Sequence, residues 1–103
     1  MPERLYQWPP RATHPSYNER AAKAVETSAT MLQALRKVEG KSEAQVAQAG
    51  LMTVDELRKS ESGARPLQSW ESIRIGRLLK AEPDSLEERP TFEKLAKRLE
   101  GIY

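Results

Sequence analysis

The stretch Ser42–Gly63, SEAQVAQAGLMTVDELRKSESG, decides how the rest of this chain is read. Its pattern predicts two short amphipathic helices joined by a glycine-containing turn. Ser42 and Thr53 stand where the two helices begin. A hydroxyl there accepts a hydrogen bond from a backbone N–H two or three residues on, and so satisfies a first-turn donor that has no intrahelical partner. Val46 and Ala47 supply the apolar stripe of the first helix and Leu57 buries the second, while Gly50 is expected to permit a turn that most residues resist. A short helix, a tight turn and a second short helix can lay one helix into the major groove of DNA. Antiparallel helix pairs also occur as plain packing units, and the pattern alone leaves both uses open.

On the N-terminal side, helical signals start at Asn18, a cap with Glu19 just inside, and run to Glu39 before Gly40. Ala21, Ala24, Val25, Leu32, Leu35 and Val38 share one face. The weak stretch Thr27–Thr30 is where this run could divide into a pre-helix and a helix proper. Gly40 suits the position just past a helix end, and Arg36, Lys37 and Lys41 complement the negative helix terminus. Residues 1–17, MPERLYQWPPRATHPSY, hold four of the seven prolines and three of the six aromatic residues. Proline lacks an N–H and restricts its predecessor, so an extended arm is expected. Either the arm is a floppy terminus, or Tyr6, Trp8 and Tyr17 pack against the body or a protein partner.

On the C-terminal side a loop, ARPLQ, carries Arg65. Ser69 is then expected to cap a helix whose buried members are Trp70, Ile73, Ile75, Leu78 and Leu79. Trp70 reads as core or loop-packing rather than as a base-stacking platform because it falls in phase with Ile73. Glu82-Pro83-Asp84 ends that helix, and Leu86 closes the core. Pro90-Thr91 opens a last helix, Phe92 to about Ile102, with Phe92, Leu95, Leu99 and Ile102 on one stripe. That stripe either returns to its own core or pairs with a second subunit. No strand-like alternation and no internal repeat is evident, so the expected fold class is all-α. The expected organisation is an arm (1–17), a helical domain (18–88) and a C-terminal helix (89–103).

Composition narrows the chemistry. The 103 residues hold one modest core. With no cysteine, neither disulfides nor thiolate chemistry is available, and a single histidine, His14, rules out a histidine-rich metal site. No metal or other cofactor is expected. There is no apolar run of about 18 residues and no basic-then-apolar start, so neither a membrane span nor a secretory signal is expected, and the default location is the cytoplasm. Net charge is +2. Seven basic and four acidic residues in 1–41 make +3, six and nine in 42–88 make −3, and four and two in 89–103 make +2. The two-helix unit is thus the least basic part, which weakens a nucleic-acid reading based on charge alone. It does not exclude one, because the face that holds the charges matters more than their sum.

From Leu32 to Leu86, roughly half the chain, the sequence resembles the Cro/C1-type (XRE-like) helix-turn-helix family of phage and bacterial repressors. The resemblance is carried by Leu32-x-x-Leu35-Arg36, Gly40-Lys41-Ser42, Val46-Ala47, Thr53, Leu57, Glu61-x-Gly63, Ile75-Gly76-Arg77-Leu78-Leu79 and Pro83-Asp84-Ser85-Leu86. No single element is specific; the joint spacing is. The resemblance implies a five-helix lambda-repressor-like core in which Ser42–Ala49 positions and Thr53–Ser60 recognises. Base contacts would come from Val54, Asp55 and Lys59, flanked by Glu56 and Arg58. Ser42 and Thr53 would hold phosphates with side-chain and backbone donors, with Gln45 a further candidate. Arg65 and its loop would approach the DNA backbone again. Arg36 would pair with Glu61, tying the first core helix to the end of the recognition helix while aiming a guanidinium at a phosphate.

Two departures stand out. Where family members usually carry a glutamine after the first cap, this chain has Glu43, which would repel a phosphate. The turn glycine sits one place early, at Gly50, with Leu51 in its usual position. Asp55 and Glu56 offer only acceptors, suited to cytosine amino groups and not to phosphates. Two functions follow as expectations: a transcriptional repressor binding a two-fold operator in double-stranded DNA as a homodimer, or a protein-interaction module on the same scaffold, antitoxin-like or a phage or plasmid accessory protein. Phe92, Leu95, Leu99 and Ile102 are the candidate dimerisation residues. No catalytic constellation is expected, since the carboxylates lie on solvated faces. Glu87-Glu88 and Lys97-Arg98 read as solvated surface.

Overall fold

The computed structural model describes residues 15–95, with side chains from Asn18 onward. They form α1 (Pro15–Thr27), α2 (Met31–Val38), α3 (Glu43–Ala49), α4 (Val54–Glu61), α5 (Ser69–Leu79) and a 3-10 turn, Pro83–Ser85. The regular elements among the described residues are all helical, and none of these helices is long and apolar enough to cross a membrane.

α1 begins at Pro15 rather than at Asn18. Proline is tolerated as a first helical residue because its missing N–H would have no partner there, and its fixed φ suits the helix. Residues 15–17 therefore belong to the helix and not to an extended arm; Tyr6 and Trp8 lie outside the described residues. The break expected within Thr27–Thr30 occurs. Thr30 turns out of helical geometry (φ −135°), and its hydroxyl accepts a hydrogen bond from the Gln33 N–H at 3.3 Å. The same hydroxyl donates to the Glu61 carbonyl at 2.8 Å, tying the start of α2 to the end of α4.

α2 is the central element. Met31, Leu32, Ala34, Leu35 and Val38 are all buried, so most of its circumference faces protein. Its first-turn donors are met from far along the chain: the Met31 and Leu32 N–H groups donate to the carbonyls of Glu88 and Leu86, both at 2.8 Å. Leu86, itself fully buried, is thus held in place as the closing member of the core. Gly40 follows α2 with φ +69°, a left-handed conformation that glycine adopts without steric cost. Around α2 the core is completed by Ala21 and Ala24 of α1, Val46 and Ala47 of α3, Leu57 of α4, Ile75 and Leu79 of α5, and Leu95.

α5 corrects the sequence reading. Gln68, not Ser69, precedes the helix, and its N–H donates to the Glu71 carboxylate at 2.9 Å. Trp70 and Ile73, expected in the core, are 43% and 44% exposed. The inward face is Glu71, Ser72, Ile75, Gly76 and Leu79. Hydrophobic periodicity alone assigns Glu71 to solvent. Here an arginine partner makes that carboxylate a stable interior group, and the helix turns its tryptophan outward. Past α5, Phe92–Leu95 form a helical turn opened by the Thr91 hydroxyl, which accepts from the Lys94 N–H at 3.1 Å. Leu95 enters the chain's own core, and Phe92 is 38% exposed. Leu99 and Ile102 lie outside the described residues.

Candidate nucleic-acid interface

The turn between α3 and α4 is built differently from the expectation. Gly50 ends α3 in ordinary right-handed geometry (φ −85°), and it is Leu51 that takes the left-handed one (φ 55°). Gly50 is needed for closeness instead. A Cβ there would lie 2.9 Å from Met52 Cε and 3.0 Å from Ile75 Cδ1, so the lack of a side chain lets the turn settle on α5. Leu51 carries the torsional cost with its side chain 64% exposed. Arg74 reinforces the junction, its Nε donating to the Ala49 carbonyl at 2.8 Å, where a cation also suits the negative end of α3.

Both helices open with reciprocal caps. The Ser42 hydroxyl accepts from the Gln45 N–H (3.1 Å) while the Ser42 N–H donates to the Gln45 side chain (2.8 Å). The Thr53 hydroxyl accepts from the Glu56 N–H (3.0 Å) and the Thr53 N–H donates to the Glu56 carboxylate (2.9 Å). The side-chain oxygens of Gln45 and Glu56 thus close the helix ends, and the exposed Gln45 keeps its amide N–H groups. The two hydroxyls use acceptor lone pairs in the caps and keep their own protons, each still able to donate to a phosphate.

Across α4 the inner and outer faces separate cleanly. Leu57, Ser60 and Glu61 are buried, whereas Asp55, Arg58, Lys59 and Ser62 are exposed. Val54, expected at a base edge, is partly buried and packs against the core. Lys59 is exposed, and its ammonium meets no partner among the described residues. Arg58 makes a two-pronged pair with Glu43, Nε and Nη2 each 3.0 Å from a carboxylate oxygen. That hydrogen-bonded pair holds the Glu43 carboxyl below its usual range and keeps Arg58 charged to still higher pH.

Behind α4 lie two further pairs. Arg36 reaches Glu61 through both Nε and Nη2, the latter at 3.2 Å, the pairing that the resemblance implied. Its Nη1 donates to the Lys41 carbonyl at 3.4 Å. Arg65, expected to approach DNA, is partly exposed and paired: Nη1 and Nη2 meet the Glu71 oxygens at 3.1 and 2.9 Å, and Nη1 also donates to the Ser60 hydroxyl at 3.1 Å. The Glu71 carboxyl is held below the usual carboxylate range first by Arg65 and further by the Gln68 N–H, against the opposing effect of burial. Glu71 was missed in the sequence, although its place three residues after the cap Gln68 is a capping signal. The partnership of Glu43 with Arg58, fifteen residues apart, had no sequence signal. Among the described residues, no group of three or more histidine, cysteine or acidic side chains could hold a metal ion.

Compared with known proteins, the chain matches no family model, no curated protein and no solved structure.

Proposed function

We propose that this chain is a DNA-binding transcriptional regulator of the lambda-repressor-like helix-turn-helix type, with α4 as the helix that enters the major groove. The observation that carries the reading is the α3–turn–α4 unit. Two successively capped short helices leave Asp55, Arg58 and Lys59 on the outer face of α4, while Glu61 on its inner face is anchored by Arg36 from α2. An outward helix so fixed from behind can read base edges without first being ordered, and the Ser42 and Thr53 hydroxyls flank it as phosphate donors. In this reading Lys59 and Asp55 face the bases. Arg36 is partly exposed and serves a phosphate as well as Glu61. The protein acts in the cytoplasm as a repressor, in a homodimer that spaces two α4 helices by about one DNA turn.

Mobility shift with the DNA upstream of its own gene, at two salt concentrations, tests this. A complex is expected whose affinity falls with salt, and Lys59→Ala should change the preference among sequences by about 1–3 kcal/mol. Unchanged binding of Lys59→Ala to every DNA tried would remove α4 from the groove. Light scattering on the full chain over a range of concentrations tests the homodimer, and a monomer at every concentration would remove it. The second reading, a protein-binding module on the same scaffold, is favoured by the exposed Trp70 and Ile73 of α5 and by the −3 charge of residues 42–88. It is the one left standing if no DNA is bound.

A further inference from the structure

The Glu43–Arg58 pair joins the first residue of α3 to the outer face of α4, beside the capped ends carrying Ser42 and Thr53. The side chains are 32% and 61% exposed, and exposed ion pairs contribute little to folding. Yet the geometry is a guanidinium fork on two carboxylate oxygens, both at 3.0 Å, the arrangement that a phosphodiester also satisfies. An anion is already in place on the surface that would have to receive one.

We propose that Glu43 is an internal counter-anion: its carboxylate occupies Arg58 in the free protein and must be displaced by a DNA phosphate, which restrains sequence-independent binding. This rests on the DNA-binding reading above. The carboxylate withholds one cation from the phosphate-facing surface and adds one negative charge to it. Correct sites, where base contacts offset the exchange, are favoured over random ones. Glu43 is a positioning residue here, acting on DNA through Arg58.

The test uses the full chain as wild type, Glu43→Gln, Arg58→Gln and the double variant. Each is titrated onto a fluorescent mixed-sequence duplex of about 20 base pairs, two helical turns, across about 50–200 mM salt. Glu43→Gln should bind on the order of tenfold more tightly at the lowest salt, with a log-affinity slope steeper by about one phosphate contact. Glu43→Gln should gain less on the Arg58→Gln background than on the wild type, because only the carboxylate's own repulsion is then removed. If the wild type binds and Glu43→Gln binds equally or more weakly, the counter-anion idea is wrong while the DNA-binding reading stands. The idea fails in the same way if the double variant keeps the whole gain. If neither wild type nor Glu43→Gln binds the duplex at the lowest salt, the DNA-binding reading fails and this proposal with it.

Discussion

The back and the front of α4 carry the same chemistry and use it differently. Behind the helix, Arg36–Glu61 and Arg65–Glu71 are two-pronged pairs whose carboxylates are each 3% exposed. In front, Glu43–Arg58 has the same fork geometry but stands in solvent. Burial makes the difference. A carboxylate removed from water must keep its partner, because an uncompensated interior charge is costly, so the rear pairs act as fixed joints. A carboxylate in water can exchange partners at little cost, so the front pair is replaceable. The helix is thereby held on one side and available on the other.

The comparison breaks if the rear pairs prove dispensable. Glu61→Ala should have the largest effect, because it leaves Arg36 without its carboxylate next to the buried Thr30–Glu61 link. A loss of about 3 kcal/mol is expected in urea unfolding, a large share of the stability of a domain this size. A loss below about 1 kcal/mol would place the pair with ordinary surface contacts.

The Arg65–Glu71 joint gives a pH signature. Glu71 has its folded-state pKa lowered relative to the unfolded chain, chiefly by Arg65. Its contribution is therefore complete above the ordinary carboxylate value of about 4.5 and is lost as pH falls below it through the folded-state value. Glu71→Gln should cost about 2 kcal/mol near neutrality, and the gap between wild type and variant should narrow in acid. Thermal unfolding at several pH values measures it; a gap independent of pH would mean that packing, and not charge, matters at this position.

Leu51 sharpens the contrast from the turn. A leucine at φ 55°, largely exposed, bears a left-handed backbone cost and recovers little by burial. Leu51→Gly should stabilise by about 0.5–1 kcal/mol, less than the strain released because glycine loses more freedom on folding. That corresponds to a Tm higher by about 3–6 °C. A lower Tm would show that the Leu51 side chain makes contacts worth more than its strain. The smallest effect is expected at the front: Glu43→Ala and Arg58→Ala should leave Tm within the error of a scan, and a clear drop in either would make the front pair a joint like the rear ones.

Much of the scaffold was legible in the sequence. The caps at Ser42 and Thr53, the division before Thr30, Gly40 past α2 and the closing Leu86 follow from local hydrogen-bond needs and helical period, which act within a few residues. The Arg36–Glu61 contact was legible only through the resemblance. The candidate surface was less so. Val54 and Arg65 were expected to face DNA; Val54 packs partly against the core and Arg65 pairs with Glu71, neither of which the sequence signalled. Gly50 was expected to permit the turn's unusual torsion, but Leu51 takes it, and Gly50 is bare because Met52 and the side chain of Ile75, twenty-five residues on, crowd it.

The sequence by itself determined that the chain would make short capped helices with one apolar face each, because period and capping are properties of neighbours. Only the tertiary structure decided which polar groups would be interior. Glu61 and Glu71 are buried because Arg36 and Arg65 arrive from other elements to meet them, and that arrival turns α5 so that Trp70 faces out. The energy of a buried charge depends on its partner's position in space, to which local sequence pattern is blind.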